Sequence, residues 1–138
     1  MPASSSSQSF TPRLCYITAR RALGARALLP LVEQAVRAGI DLIQVREKDL
    51  ETRPLVALVQ SILDRARGTS TRVVVNDRLD IALALGADGV HLGRQSIPAR
   101  AVRRSVPREF VIGVSCHSVD EARDAEASGA NYIVFGPV

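Results

Sequence analysis

Residues 73–93 read VVVNDRLDIALALGADGVHLG and contain one complete step from strand to helix to strand. The β-branched run RVVV at 72–75 predicts a buried strand, and the apolar spacing of 79–86 predicts a short helix that ends at Gly86. The apolar stretch GVHL at 89–92 predicts the next strand. Strands that alternate with helices across short loops indicate βα units and a parallel sheet.

The same pattern extends in both directions along the chain. A glycine, one small or apolar residue and Asp or Asn precede a strand three times, at 39–41, 86–88 and 129–131. Such reuse of one structural step is typical of repeat folds and barrels. Further strands are predicted at 14–18, 42–45, 110–114 and 132–135, and further helices at 28–39, 54–67, 98–105 and 119–129, with Ser118 as the cap of the last helix.

Two α/β architectures fit these elements. One is an open doubly wound sheet, but the loop at 19–27 lacks the GxGxxG pattern of its dinucleotide-binding members. The repeat favours the other, a (β/α)8 TIM barrel of which about six strands and five helices are present. We expect a disordered Ser-rich leader at 1–13 and a partial barrel domain at 14–138. Because open strand edges promote aggregation, we expect this segment alone to be unstable or inactive.

The composition excludes several classes of protein. The chain has 138 residues, of which 46% are hydrophobic and 23% charged, so it is globular. Its net charge of +4 comes from arginines spread along the sequence, which does not indicate nucleic-acid binding. No signal peptide and no apolar run of about 18 residues is present, so the sequence predicts a cytoplasmic protein without a membrane partner.

Polar side chains follow two neighbouring strands at their carboxyl ends, where parallel α/β proteins place their sites. Arg46 and Lys48 follow the second strand, and Asn76 and Asp77 follow the third. Two cations beside hard oxygen ligands suit a magnesium-bound diphosphate. The alternative is that both cations form ion pairs at the rim, with Glu47, Asp49 or Asp77. Spacing alone leaves both interpretations open.

The other candidate residues each have a structural alternative. His117 suits a general acid or base, or lies in a surface loop beside the following helix. Ser115, at the start of the same loop, either binds phosphate or turns the chain, and Gly136 allows close backbone approach or a tight turn. His91 lies within a strand and is expected to be a core histidine with satisfied hydrogen bonds, while Cys116 carries little indication of a catalytic thiolate.

Taken in order, four segments resemble the thiamine phosphate synthase/TenI superfamily. They are LCYIT at 14–18, QVREKDL at 44–50, VVVNDRLDIALALGADGVHLG at 73–93 and IGVSCHSVDEARDAEASGANYIVFGPV at 112–138. The resemblance implies a (β/α)8 barrel. It also implies a transferase of thiamine biosynthesis that joins hydroxymethylpyrimidine diphosphate and thiazole phosphate into thiamine phosphate. The resemblance further implies that pyrophosphate is released with the help of Mg²⁺ and leaves first, so that the thiazole nitrogen captures a pyrimidine methyl cation.

The resemblance also assigns roles to individual residues. Gln44 would contact the pyrimidine, Arg46 and Lys48 the diphosphate, and Asp77 the magnesium ion. The catalytic residues expected in this way are Lys48, Ser115 and His117, and the substrate-binding residues are Gln44, Arg46, Lys48, Asn76, Ser115 and Gly136.

Two departures from the family pattern keep alternatives open. Ser96 stands where the synthases usually place a second magnesium carboxylate, and a hydroxyl is a poorer ligand for a hard cation. The Thr/Lys phosphate loop and the two further strands that should follow FGPV are also not in this sequence. The first departure suggests an alternative hypothesis, a TenI-type thiazole tautomerase, which needs no metal and would move a proton with His117. A third hypothesis is a ligand-binding relative, or a fragment, without activity.

Overall fold

A computed structural model describes residues 10–23 and 27–136 of the chain. Most of the expected leader therefore lies outside the described residues, as do Pro137 and Val138. The strands are β1 (Cys15–Ile17), β2 (Leu42–Val45), β3 (Arg72–Asn76), β4 (Gly89–Leu92), β5 (Val111–Cys116) and β6 (Tyr132–Phe135). The helices are α1 (Leu28–Arg37), α2 (Thr52–Ala66), α3 (Leu79–Leu85), α4 (Ala99–Ser105) and α5 (Val119–Ala127), and a 3₁₀ turn covers Arg20–Leu23. In the described ranges, no helix has the length and apolar character needed to cross a membrane.

The order of the strands decides between the two predicted architectures. Within the described residues the sheet runs β1 to β6 in chain order, and every neighbouring pair is parallel. A doubly wound sheet reverses its order at a switch point, so that alternative is wrong. The sheet also curls, because Tyr132 of β6 packs against a cluster that includes Leu42 of β2. The six strands form a large arc of the predicted (β/α)8 barrel.

The two faces of the curled sheet have different compositions. Its outer face carries branched aliphatic side chains such as Ile43, Val75 and Ile112, which pack against Val59 and Ile62 of α2 and against the other helices. On the inner face, the register aligns Gln44 with Val74, Asn76 with His91, and His91 with Gly113. Because side chains alternate along a strand, the polar residues Gln44, Asn76, His91 and Ser115 all lie on the inner face.

The repeated Gly-x-Asp/Asn pattern ties each even strand to the strand before it. In two of the three repeats the backbone N–H of Asp88 or Asn131 donates to the carbonyl of Val73 or Ile112, at 2.9 and 2.7 Å. The same Asp or Asn accepts the N–H of that partner through its side chain, at 2.7 and 2.8 Å. The glycine two residues earlier has φ between 73° and 96° in all three repeats, the left-handed conformation that ends a helix.

We expect Asp88→Ala to lower the free energy of unfolding by about 1–3 kcal/mol, because it leaves the N–H at Val73 without its side-chain acceptor. Urea unfolding followed by circular dichroism measures the change. Asp64→Ala is the matched control, since Asp64 is an exposed residue of α2 that pairs with Gln60 and Arg67 at the surface, and its loss is expected to cost less than about 0.5 kcal/mol. Equal destabilisation by the two variants would contradict the structural role of the repeat.

The predicted elements agree with the structure to within two residues at most ends. Ser118 caps α5 as predicted, since its hydroxyl accepts the backbone N–H of Glu121 at 3.1 Å. Two expectations were wrong. The 3₁₀ turn at Arg20–Leu23 was not predicted, and β5 continues to Cys116 instead of ending at 114. Ser115 therefore belongs to a strand paired with Val134 of β6, and is not in a loop.

Candidate functional site

Three of the predicted site residues line one cleft at the carboxyl edge of the sheet. Lys48, Asn76 and Asp77 come together where β2 and β3 end, in a cavity of about 300 Å³. Leu50 and Leu55 contribute its apolar lining. Glu47 and Arg78 also line the cleft, but they pair with Arg20 and Asp80. Among the described residues, the cleft therefore offers the unpaired charges of Lys48 and Asp77 and the amide of Asn76 to a small ligand.

The two cations that follow β2 have no partner of opposite charge in the part of the chain that the structure describes. Among the described residues, neither Arg46 nor Lys48 forms an ion pair. The carboxylates expected to neutralise them are engaged elsewhere, because Glu47 and Asp49 both pair with Arg20. The rim ion-pair interpretation is therefore wrong. Two uncompensated cations next to a polar cleft are suited to binding an anion.

Glu47, which lies between the two cations in the sequence, has a structural role that sequence reasoning did not assign to it. Its side chain is only 3% exposed and accepts the backbone N–H of Arg20 with both oxygens, at 3.1 and 3.2 Å. Thr18 adds a second tie, since its buried hydroxyl accepts the backbone N–H of Arg46 at 2.9 Å. With Glu47 turned inward, the alternation of the chain leaves Arg46 and Lys48 exposed on either side. A carboxylate between two cations was the signal that could have revealed this arrangement.

We expect Glu47→Ala to destabilise the protein by about 1–3 kcal/mol, because the Arg20 N–H and guanidinium lose a buried acceptor. We also expect faster proteolytic cleavage of the loop around Arg20, which the carboxylate holds in place. Thermal unfolding and limited trypsin digestion measure the two effects. The control is Glu51→Ala, an exposed position just before α2. An unchanged rate of proteolysis in Glu47→Ala would show that the Glu47–Arg20 contact does not hold this loop.

Asp77, an exposed residue that lines the cleft, adopts an unusual backbone conformation. Its φ is 65°, the left-handed region that residues other than glycine seldom occupy. Its backbone N–H donates to the carbonyl of His91 at 2.8 Å, which holds the turn against β4. Within the described ranges its carboxylate forms no ion pair, unlike the neighbouring Asp80, which pairs with Arg78. Strained positions with free functional groups are typical of binding and catalytic sites.

Ser96 does not contribute to this cleft. Its hydroxyl accepts the backbone N–H of Gly93 at 2.9 Å, so it stabilises the turn after β4. No group of three or more His, Cys, Asp or Glu side chains in the described residues could hold a metal ion by itself. A metal bound near Asp77 would therefore need ligands of other kinds, such as the Asn76 amide oxygen, substrate oxygens or water.

A second group of polar residues lies on the inner face of the sheet. Gln44 is 1% exposed, and its Oε1 atom has no hydrogen-bond partner among the described residues. His91 is 3% exposed and bonds on both sides, with Nδ1 at 3.0 Å from Tyr132 Oη and Nε2 at 2.8 Å from Ser115 Oγ. Burial lowers the pKa of His91 from 6.5 to about 4, with a smaller contribution from the charge of Arg46. His91 is thus the satisfied, neutral histidine that its place in a strand predicted.

The remaining candidates stand apart from both groups. The His117 side chain is exposed and makes no hydrogen bond among the described residues, and only its backbone N–H binds Glu121, at 2.7 Å. Cys116 is buried on the face opposite to Ser115, and burial raises the pKa of its thiol, which opposes a thiolate role. Gly136 has φ 145° and donates its N–H to the carbonyl of Cys116 at 3.0 Å, which continues the pairing of β6 with β5 by one residue.

The parallel sheet of βα units defines the chain as a (β/α) barrel protein, and the cations and the acidic turn at its carboxyl edge are suited to an anionic ligand. The chain belongs to the thiamine monophosphate synthase (TMP-TENI) family, whose model matches residues 14–138. The chain is 48% identical over 120 residues to a thiamine-phosphate synthase of Roseiflexus sp. (strain RS-1), covering 87% of the chain and 51% of that relative. A thiamine-phosphate synthase of Clostridium novyi (strain NT) is 40% identical over 126 residues, covering 91% of the chain and 62% of the relative.

A solved structure supports the same family. The thiamine phosphate pyrophosphorylase from Pyrococcus furiosus superposes with a TM-score of 0.82 at 33% identity, covering 95% of the chain and 63% of that structure. The chain thus spans about half to two thirds of the length of these relatives. Fold and family are confirmed, and the resemblance seen in the sequence was correct.

Proposed function

We propose that the complete protein carrying this chain joins a pyrimidine diphosphate to thiazole phosphate and releases pyrophosphate, which yields thiamine phosphate. The observation that carries the proposal is the pair of uncompensated cations, Arg46 and Lys48, beside the cleft that holds Asn76 and Asp77. Negative charge develops on the diphosphate as the bond to the pyrimidine methylene carbon breaks. Cations already in place stabilise that charge without reorganisation.

Gln44 provides the second element of the proposal. A buried amide oxygen without a partner is unfavourable, so a ligand that donates a hydrogen bond there gains affinity. The amino group on the pyrimidine ring of thiamine is such a donor. Gln44 lies on the inner face two residues before Arg46, so one ligand can present its ring to Gln44 and its diphosphate to the cations.

A magnesium ion fits the residues present when the diphosphate is bound. Mg²⁺ commonly retains several waters and takes one or two carboxylates together with substrate phosphates. Asp77 supplies one free carboxylate, and Asn76 lies beside it in the same cleft. Bound there, Mg²⁺ would neutralise charge on the diphosphate oxygens. Because Ser96 is engaged with Gly93, Asp77 is the side chain on which we expect metal binding to depend.

Each residue then has a role in a reaction whose atoms balance. The bond between the pyrimidine methylene carbon and the bridging oxygen breaks, and its electron pair leaves with pyrophosphate, whose charge Lys48 and Arg46 stabilise. The thiazole nitrogen donates its lone pair to the resulting methylene cation and forms the new carbon–nitrogen bond. We assign Ser115 a hydrogen bond to the pyrimidine diphosphate, since it lies at the same end of the inner face.

The test is an assay of the complete protein with both substrates and with each alone. We expect pyrophosphate release that needs both substrates and Mg²⁺, with thiamine phosphate identified as the product by mass spectrometry. Release without the thiazole substrate would indicate a hydrolase and contradict the proposal. Binding of thiazole phosphate without any turnover would favour a ligand-binding protein.

A second candidate is the metal-independent thiazole tautomerase, and Ser96 at the expected carboxylate position is the observation that favours it. It would move a proton on a thiazole carboxylate phosphate with His117. The exposed imidazole of His117 has no side-chain partner among the described residues to orient it, so the synthase is better supported. Turnover of the thiazole carboxylate in EDTA that is lost in His117→Ala would establish the tautomerase instead.

A further inference from the structure

Three side chains from three strands form one hydrogen-bonded chain across the inner face. Tyr132 of β6 contacts Nδ1 of His91 in β4, and Nε2 of His91 contacts Ser115 of β5, at 3.0 and 2.8 Å. The rings of Tyr132 and His91 lie 5.6 Å apart between centroids. The Tyr132 ring covers Gly113, where any β-carbon would collide with it. The absence of a side chain at Gly113 therefore makes room for the Tyr132 ring in this position.

The number of protons limits the possible hydrogen-bond patterns among these three side chains. The two hydroxyls and the neutral imidazole carry three exchangeable protons, but only two hydrogen bonds link Tyr132, His91 and Ser115. If His91 carries its proton on Nδ1, Ser115 donates to Nε2 and the Tyr132 proton is left over. If His91 carries its proton on Nε2, Tyr132 donates to Nδ1 and the Ser115 proton is left over. The two tautomers thus place the spare proton at opposite ends.

The surroundings of the two ends favour the second arrangement. The Tyr132 hydroxyl has no other hydrogen bond among the described residues, and burial raises the pKa of this phenol well above its usual range. A spare proton on this half-buried residue would have no acceptor among the described residues, which is unfavourable. Ser115 is partly exposed near the carboxyl end of β5, where a ligand can accept its proton.

We propose that Tyr132 sets the tautomer of His91, and that His91 thereby holds Ser115 as a hydrogen-bond donor facing the substrate. Tyr132 and His91 act as positioning residues, because they work through Ser115. His91 Nε2–H occupies a lone pair of Ser115 Oγ and cannot take its proton, so Ser115 is not a nucleophile activated by His91. The substrate group that Ser115 meets is an acceptor, such as a phosphate oxygen or a ring nitrogen. This last point rests on the proposed function.

The tautomer can be measured without any activity. In protein labelled with ¹⁵N-histidine, the two ring nitrogens of a neutral imidazole give well-separated signals, and the protonated nitrogen is identified by its coupled proton. His117→Asn removes the other histidine of the chain and assigns the His91 signals. We expect the Nε2–H form in the wild type and a mixture of both forms in Tyr132→Phe. Tyr16→Phe, which alters the only other tyrosine of the chain, is expected to leave the tautomer unchanged. A dominant Nδ1–H form in the wild type would overturn the proposal.

Kinetics of the complete protein give the second readout. We expect Tyr132→Phe to lower kcat about tenfold with KM changed less than about twofold. The variant leaves the Ser115 hydroxyl less well oriented as a donor but removes no contact with the substrate. Ser115→Ala is expected to have at least the same effect, and the double variant to be no slower than Ser115→Ala alone. Additive losses would contradict the coupling. If the wild type releases no pyrophosphate, the proposed function fails, while the tautomer measurement still decides this inference.

Discussion

Replacing Lys48 by alanine is expected to lower the kcat of pyrophosphate release by about 10²–10³-fold, the usual cost of losing one preplaced group that stabilises transition-state charge. Lys48 is the only lysine of the chain and lies in the cleft with Asn76 and Asp77, free of any carboxylate partner among the described residues. No other charge has to be moved for it to meet the diphosphate. Its removal therefore acts on the leaving group and not on the fold.

Two further variants separate this effect from general loss of charge. Lys48→Arg keeps the cation, so we expect it to recover a part of kcat but not all, since a planar guanidinium meets phosphate oxygens in a different geometry. Arg37→Ala removes an exposed cation from the carboxyl end of α1, at the opposite edge of the sheet, and should leave kcat within about twofold. Thermal unfolding of all three variants should match the wild type. Similar losses of kcat in Lys48→Ala and Arg37→Ala would exclude a local role for Lys48.

The fold could be predicted because local signals repeat along the chain. Glycines such as Gly86 end helices, and Asp88 or Asn131 then starts a strand while binding the strand before it. One motif therefore specifies both the end of a helix and the pairing of the next strand, so the parallel order of the strands can be predicted from the sequence. The end of β5 was misjudged because VSCH has no glycine or proline to mark it, and the strand is extended by its pairing with β6.

The members of the site were easier to predict than their partners. Polar residues at strand ends revealed Lys48, Asn76 and Asp77, since the carboxyl ends of parallel strands meet at one edge. The engagement of Glu47 with Arg20 depends on how the β1 and β2 loops meet, and residues 27 positions apart carry no local signal of it. The same holds for His91, whose partners Tyr132 and Ser115 lie 41 and 24 positions away. Side-chain pairing across strands becomes visible only when the register is known.

Ser96 changes which groups are available as ligands for a metal ion at this edge of the sheet. Where the family pattern expects a second carboxylate, a hydroxyl accepts the N–H of Gly93 and completes a turn. Of the two carboxylates that line the cleft, Glu47 pairs with Arg20, so only Asp77 is without an ion pair among the described residues, beside the uncompensated cations Arg46 and Lys48. With less negative charge at the protein side of the site, the diphosphate itself must supply more of the metal's ligands. We infer that this chain binds Mg²⁺ weakly alone and more tightly together with a diphosphate.

Asp77→Asn is therefore expected to lower kcat by about 10²-fold or more and to raise the Mg²⁺ concentration needed for half-maximal rate, because the site loses its one free carboxylate. Asparagine is the suitable replacement, since Asp77 has φ 65° and Asn tolerates the left-handed conformation. Alanine would add backbone strain of about 1–2 kcal/mol and confuse stability with metal binding. Pyrophosphate release measured across a series of Mg²⁺ concentrations gives both quantities.

The matched control for this prediction is Asp80→Asn, three residues further along. Asp80 is exposed, pairs with Arg78, and does not line the cleft, although its carboxylate is close to Asp77 in sequence. The Arg78 hydrogen bond holds the pKa of Asp80 below its usual range, so this group is also an anion at neutral pH. If the cleft binds the metal through Asp77, Asp80→Asn leaves the Mg²⁺ dependence unchanged. A similar shift in both variants would mean that general negative charge, and not a ligand, attracts the ion. An unchanged dependence in Asp77→Asn would remove Asp77 from the metal site.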